Sequence, residues 1–336
     1  MWYKRVMKNN RKIVAIVGPT ASGKTGLGVA IAKKYNGEIV SADSRQVFRG
    51  LDIGTGKDLQ EYGDIKYHLI DICDPGEKFT MFDWLDKAKI AIEDIFSRGK
   101  LPVIVGGTGL YVQALVEGFE TKNQELRIKN KENFTRQQLD EMPLEKLQSI
   151  FKKLQAKSYQ PEAIDMSNPR RLIRVIEKVQ GGEISSKKKP DFEVLQIALD
   201  YPREELYSRI DKRVDEWFIE GFKEEVEDFL KSGVEKKWFD SIGLEYRILA
   251  DYIVSHPEGT EGSRDSSPWT RGVPFGAQND KKKVQNDKEF RQMKQIMKYK
   301  IHQFARRQLT WWRRFPEVVW AKDKKEAIGV IDNFLK

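Results

Sequence analysis

The sequence predicts an α/β fold, a mostly parallel sheet with flanking helices, interrupted by a helical insertion domain. Short apolar runs ended by turn residues alternate with stretches of helical period, and a glycine loop joins the first run to the first helix. From about Thr121 the texture becomes charged and helix-favouring. Residues 12–17 (KIVAIV) form the first run, closed by Gly18 and Pro19, and Lys24 to Tyr35 sets Leu27, Ala30, Ile31 and Lys34 at helical spacing. Tyr67 to Ile72 and Leu101 to Val105 read as further strands, separated by the helical stretch Met81 to Ser97. Within 126–190, Leu144, Leu147, Ile150, Phe151 and Leu154 repeat at three and four. Asn168 and Pro169 stand where an N-cap and a first helical residue belong, and Gly181 where a stop belongs. Val194 to Leu199 returns to the sheet, and 203–231 reads as one amphipathic helix along Leu206, Ile210, Val214, Trp217 and Phe218. A long helix from Phe290 to about Arg314 carries Met293, Ile296, Met297, Ile301 and Phe304. The expected parts are therefore 1–125 as the first part of the core, 126–190 as the insertion, and 191–255 as the return to the core. Residues 256–289, rich in Gly, Pro, Ser and charge, form a flexible insertion, and 290–336 completes the core.

The 336 residues are enough for two domains with a real core. The one cysteine, Cys73, cannot form an internal disulfide, and the histidines His68, His256 and His302 are scattered. No structural zinc site is expected, and a reducing, cytoplasmic setting is. No apolar run approaches the roughly 20 residues of a membrane helix, no secretory signal is expected, and nothing marks a dimer surface, so a monomer is expected. The formal charge of +9 is local: residues 291–325 hold eleven Lys and Arg against Glu317 and Asp323, which leaves the rest of the chain neutral. That places an anionic partner at the C-terminal segment.

The strongest motif is Gly18, Pro19, Thr20, Ala21, Ser22, Gly23, Lys24 and Thr25, which fits GxxxxGK[ST] after a strand and at the start of a helix. Consecutive backbone N–H groups and the positive helix end surround a phosphate, Lys24 adds a point charge, and the Thr25 hydroxyl can hold Mg²⁺. The fold expectation narrows to a P-loop NTPase-like sheet, without saying whether the phosphates belong to a nucleotide or to another diphosphate.

The next strand end supplies Ser41 to Gln46 (SADSRQ). Asp43 suits a general base or a Mg²⁺ partner, and Ser44, Arg45 and Gln46 offer donors and acceptors for a nucleobase; a capped surface turn reads as well. Asp71 and Asp74 in HLIDICDP leave the same choice, Asp71 ending its run like a Walker-B carboxylate. Gly106 to Gly109 permit close backbone approach, and Thr108 can bond a ligand or shape a turn. Arg209 and Arg213 share a helix face and can clamp a pyrophosphate or stand in solvent. The segment FARRQLTWWRRF interleaves base-stacking rings with guanidiniums, including Arg306 and Arg313, as a nucleic-acid surface does; a core-packing helix with solvated charges is the alternative.

Taken in order, GPTASGKT, SADSRQVFRGLDIGTGK, HLIDICDP and VIVGGTGLYVQAL, then NPRRLIRVIE, REELYSRIDKRVDEWFIEGFKEEV and QFARRQLTWWRR, resemble the tRNA dimethylallyltransferase family, the isopentenyl transferases acting on tRNA. The resemblance spans 12–255 and 290–320, apart from loosely matching parts of the insertion. It implies transfer of a dimethylallyl group from dimethylallyl diphosphate to N6 of the adenine at tRNA position 37. It also implies that the loop 18–25, commonly described as nucleotide- or ATP-binding, holds the prenyl diphosphate with Mg²⁺. Asp43, Lys24 and Arg213 would be catalytic, with Arg209 or Arg213 meeting diphosphate. Residues 43–46, Thr108, Arg127, Arg170, Arg171, Leu172, Ile173, Arg174, Arg306 and Arg313 would contact the tRNA anticodon arm. The chain departs from the family where an IGYxE-like run is common: Ser241 to Arg247 (SIGLEYR) keeps Gly243 but shifts the aromatic and basic positions. The spacer from Gly118 to Arg127 is short, and 256–289 has no family counterpart. A small-molecule P-loop kinase fits the first motif alone and is the alternative.

Overall fold

The computed structural model describes residues 11–123, 134–155, 165–180, 183–256 and 275–336. In chain order the elements are β1 (Lys12–Val17), α1 (Lys24–Lys34), β2 (Gly37–Ser41), β3 (Tyr67–His68), α2 (Met81–Ser97), β4 (Leu101–Val105), α3 (Gly109–Val116) and β5 (Phe119–Asn123). Next come α4 (Arg136–Asp140), α5 (Leu144–Gln155), α6 (Pro169–Gln180), β6 (Glu183–Lys187), β7 (Glu193–Leu199), α7 (Arg203–Ile219) and α8 (Phe222–Lys231). The chain ends with α9 (Lys236–Ile242), α10 (Leu244–Ser255), α11 (Phe275–Trp312), β8 (Val318–Ala321) and α12 (Lys324–Leu335). Contacts divide the chain into two units, Met1–Val116 with Asp191–Lys336, and Glu117–Pro190.

The larger unit is built on a parallel six-stranded sheet in the order β3-β2-β4-β1-β7-β8. Ile13 to Val17 of β1 are fully buried, as an apolar run covered on both faces must be. One cluster on this sheet joins Val14, Ile16, Leu27, Ile31, Val103 and Ile197, and a second gathers α7, α8, α10 and α11 around Trp217, Phe222, Tyr246 and Met297. Because β2, β4 and β1 are neighbours and parallel, their C-terminal ends deliver the loops after Ser41, Val105 and Val17 to one edge, where ligands of open α/β sheets bind.

Several elements differ from expectation. The run Tyr67 to Ile72 pairs only at Tyr67 and His68, because Leu69 and Asp71 take left-handed conformations that leave the ladder. The expected helix over 203–231 is two, broken where Gly221 turns to φ 99°. The C-terminal helix begins at Phe275, so the last part of the expected flexible insertion is helical, and 257–274 lie outside the described residues. Strand β8 and helix α12, both unexpected, complete the sheet beside β7.

The smaller unit is not wholly helical. Strands β5 and β6 pair antiparallel from Phe119↔Lys187 to Asn123↔Glu183. Its helices pack Leu139, Leu147, Phe151, Leu172, Ile173 and Ile176 into a core. Asn168 caps α6 as expected, its Oδ1 accepting from the Arg171 amide at 3.3 Å. Leu172 and Ile173, expected among the RNA contacts, are core side chains here. Arg170, Arg171 and Arg174 are exposed, Arg174 beside Glu177. Arg127 lies outside the described residues.

Candidate active site

The loop after β1 turns through Gly18 and enters left-handed conformations at Ala21 and Gly23. Ser22, fully buried, closes the turn by donating to the Pro19 carbonyl at 2.9 Å. No side chain caps α1 and no acid stands in its first turn, so the positive helix end is left for an anion. Lys24 Nζ donates to the Pro19 carbonyl. Burial, joined by the Arg213 and Arg45 guanidiniums and opposed by Asp43, pulls the Lys24 ammonium down to about 7.

Arg209 and Arg213 reach this loop from α7. Arg213 bonds Asp58 Oδ2 at 3.0 Å and lies so close over Gly56 that a Cβ there would sit 1.6 Å from its Nη2. Arg209 pairs with Glu205 and stacks on the Tyr201 ring at 4.2 Å. Both line a cleft of about 380 Å³ with Ala21, Gly23, Lys24 and Thr25; Lys324 adds a cation, and Asp58, Glu61, Glu216 and Glu220 form an acidic wall.

Asp43 follows β2. Its Oδ1 accepts from the Arg45 amide at 2.9 Å and lies 3.5 Å from the Arg45 Nε, which fixes the carboxylate. Arg45 in turn donates to Glu245 at 2.6 Å, a carboxylate only 2 % exposed. Burial opposes the Arg45 charge, but Glu245 and Asp43 overcome it and hold the guanidinium protonated well above its ordinary range. Gln46 is buried and bonded at both ends, to Ser41 Oγ and to the Gly56 carbonyl, so it shapes the Gly56 loop instead of presenting its amide outward. Ser44 donates its amide to Thr108 Oγ1 at 3.0 Å, while a Cβ on Gly106 would lie 2.2 Å from the Ala42 carbonyl. Only glycine lets these two loops touch.

A small cavity of about 50 Å³ joins Lys24, Thr25 and Arg213 to Asp43, Arg45 and Thr55. Asp43 also lines a pocket of about 310 Å³ with Ser44, Arg45, Thr108, Leu244, Phe304 and Arg307. The structure thus gathers Lys24, Thr25, Arg209, Arg213, Asp43, Ser44, Arg45 and Thr108 along one path from the cleft at the phosphate loop to the pocket beside Asp43. Asp71 does not join them: its carboxylate pairs with the buried Lys57, and Asp74 pairs with Arg49 at 2.6 Å.

Sequence reasoning missed Glu245 and Gln308. Glu245 sits in the SIGLEYR departure and is the partner that orients Arg45. Gln308 accepts from the Thr20 amide at 2.9 Å and donates to the Gly107 carbonyl at 3.0 Å. Its signal was its place in the aromatic and basic tail, one residue past Arg307. In that tail Trp312 is fully buried, Arg306 is exposed, and Arg313 is exposed beside Asp200 at 3.3 Å.

A family model described as IPP transferase matches residues 46–315, and one described as isopentenyl transferase matches 11–64. The chain is 39% identical over 306 residues to a tRNA dimethylallyltransferase 2 of Syntrophotalea carbinolica, covering 90% of each. It is 37% identical to a tRNA dimethylallyltransferase 2 of Treponema denticola, covering 92% of this chain and 93% of that one. The solved tRNA isopentenylpyrophosphate transferase of Bacillus halodurans matches at TM-score 0.62 and 32% identity, covering 97% of this chain and 95% of that one. A eukaryotic dimethylallyltransferase acting on tRNA shares the fold at TM-score 0.68 and 22% identity, covering 97% and 79%. A phosphate loop, an oriented aspartate and a family match running past both to residue 315 agree: the chain belongs to the IPP transferase family.

Proposed function

We propose that this prenyltransferase moves a dimethylallyl group from dimethylallyl diphosphate to N6 of adenine 37 in the tRNA anticodon loop, acting in the cytoplasm as a monomer. The observation that carries the reading is the path of shared residues. Lys24, Thr25 and Arg213 belong both to the cleft at the phosphate loop and to the small cavity, and Asp43 belongs both to that cavity and to the pocket beside it. Diphosphate at one end and adenine at the other would meet at Asp43. The kinase alternative accounts for the phosphate loop alone and gives no use to the pocket beyond Asp43.

The adenine amine is a weak nucleophile because its lone pair is delocalised into the ring. The C1–N6 bond forms as the C1–O bond to diphosphate breaks, and the N6 proton passes to the Asp43 carboxylate. Charge growing on the leaving diphosphate is met by Lys24, Arg213, Arg209 and the amides at the start of α1. An adenine stacked in the anticodon loop cannot reach the junction, so the base is extruded into the Asp43 pocket. Thr108 and Arg45 offer it polar contacts there, and Phe304 an apolar wall. Exposed Arg170, Arg171, Arg174, Arg306 and Arg313 supply cations for RNA phosphates.

Mg²⁺ fits the donors present. Thr25 shares the cleft with the Asp58 and Glu61 carboxylates, all hard oxygen ligands. Bound there, Mg²⁺ would neutralise diphosphate charge.

The test is incubation of purified protein with Mg²⁺, labelled dimethylallyl diphosphate and unmodified tRNA, with Asp43→Ala as control. Label in adenine 37 that depends on Asp43 is expected. Label staying off tRNA, with ATP-dependent phosphorylation of a small molecule instead, overturns the reading.

A further inference from the structure

The last turns of α11 touch both ends of the site. Phe304 and Arg307 line the pocket that holds Asp43, and the Phe304 ring lies 5.9 Å from the Arg45 guanidinium carbon. One residue further on, Gln308 stands between two loops of the sheet. Its Oε1 accepts from the Thr20 amide inside the phosphate loop, and its Nε2 donates to the Gly107 carbonyl. Gly107 precedes Thr108, the residue that holds the Ser44 amide beside Asp43. One side chain therefore fastens the diphosphate loop to the loop of the Asp43 pocket, and it comes from the helix that walls that pocket. A primary amide suits the task, since it donates and accepts at once from a planar group. The fit is close, for a Cβ on Gly107 would lie 2.7 Å from Nε2.

We propose that Gln308 is a positioning residue that makes diphosphate affinity depend on occupancy of the Asp43 pocket by RNA. The inference rests on the function proposed above. RNA seated against Phe304 and Arg307 fixes the last turns of α11 and so fixes the Gln308 amide. Thr20 and Gly107 are then held at one separation, and the loop amides stay converged on the diphosphate. With the pocket empty, part of the diphosphate binding energy goes into ordering the loop. Linkage makes the effect reciprocal, so diphosphate tightens RNA by the same factor.

The experiment titrates the full chain with inorganic diphosphate and Mg²⁺ by calorimetry, with and without an unmodified anticodon stem-loop RNA. It compares the wild type with Gln308→Met and Gln308→Glu, and records tRNA turnover in parallel. In the wild type RNA tightens diphosphate by about fivefold or more. In Gln308→Met that ratio falls toward one, and the donor KM in turnover rises while the RNA affinity without diphosphate is kept. Gln308→Glu has nearly the same shape, keeps the acceptor for Thr20 and sets a carboxylate against the Gly107 carbonyl, so its ratio also falls. It carries the test if the Met variant does not fold. A wild-type ratio of one, or equal ratios in wild type and variants, overturns the proposal. Wild-type protein that leaves tRNA unmodified overturns the functional reading instead, because the binding ratio is read without turnover.

Discussion

Lys24, half-buried at the start of α1, and Lys57, fully buried, each follow a glycine in the same unit, yet they are provided for differently. Lys57, 1 % exposed, directs its ammonium at the Phe48 carbonyl at 2.8 Å, at Asp52 Oδ1 at 2.6 Å and at Asp71. Three donors meet three acceptors, and the charge is fully used by the fold. Lys24 reaches the Pro19 carbonyl, and among the described residues no carboxylate stands within ion-pair distance of it; Arg213 and Arg45 face it instead. A lysine kept short of partners at a helix start is a cation reserved for a ligand, whereas a satisfied one is part of the scaffold. The motif letters GK occur at both positions, so partner count separates the roles where sequence does not.

The sharpest way to break this contrast is to remove each ammonium. Lys24→Met is expected to lower turnover on tRNA by about 10²–10³, the scale of losing one donor to a developing oxyanion. Its thermal midpoint should hold, because the half-buried ammonium has no ion pair among the described residues to lose. A midpoint that falls with the activity would mean that Lys24 holds the fold. Lys57→Met should do the reverse. It leaves a buried carbonyl and the Asp71 carboxylate without their donor, at a cost of about 2 kcal/mol in urea unfolding, while the folded fraction keeps its turnover number. Lost turnover at unchanged stability would move Lys57 into the site.

A pH titration sharpens the same contrast. Burial holds the free Lys24 ammonium down at about 7, below the ordinary 10.5, and a bound diphosphate would restore its charge. Between those values the free ammonium is largely deprotonated, so binding takes up a proton and affinity falls as pH rises above 7. The fall is up to about tenfold per pH unit from this group, set against the diphosphate's own ionisation. Calorimetry in buffers of different ionisation enthalpy reads the proton uptake directly. In Lys24→Met this component should vanish, and in Lys57→Met it should persist; uptake unchanged in Lys24→Met would assign the proton elsewhere.

Much of this contrast could be read in the sequence, and the limits have physical causes. KIVAIV followed by GPTASGKT announces strand, loop and helix locally, because each feature depends on neighbours within a few residues. Asp43 was legible as a strand-end carboxylate, but whether it capped a turn or oriented toward chemistry depended on Arg45 and Glu245, which lie 200 positions apart. Gln308 was hidden for the same reason: its partner Thr20 is 288 positions away, and a place in the basic, aromatic tail does not name that partner. The burial of Leu172 and Ile173 was not marked, because the resemblance takes the segment NPRRLIRVIE as a whole, while the helical period divides it into exposed arginines and a buried face. Tyr67 to Ile72 looked like a strand by apolarity, yet the left-handed turns at Leu69 and Asp71 carry Asp71 to Lys57. That turn is the structural side of the contrast between the two lysines.

The smallest expected effect applies the same rule of partners to the C-terminal cations. Arg313 is exposed but lies 3.3 Å from Asp200 and 5.5 Å over the Trp320 ring, whereas Arg306 is exposed on the helix that carries Gln308. A guanidinium meeting an RNA phosphate releases about 0.7–0.9 counterions, so each one removed should flatten the plot of log affinity against log salt by that amount. Arg306→Gln is expected to flatten the slope by nearly the full amount. Arg313→Gln should flatten it less, because an arginine already facing a carboxylate displaces fewer ions when RNA arrives. Equal slopes for both variants would show that Asp200 releases Arg313 on binding. An unchanged slope in both would return this helix end to packing, leaving the buried Trp312 as its reason for being there.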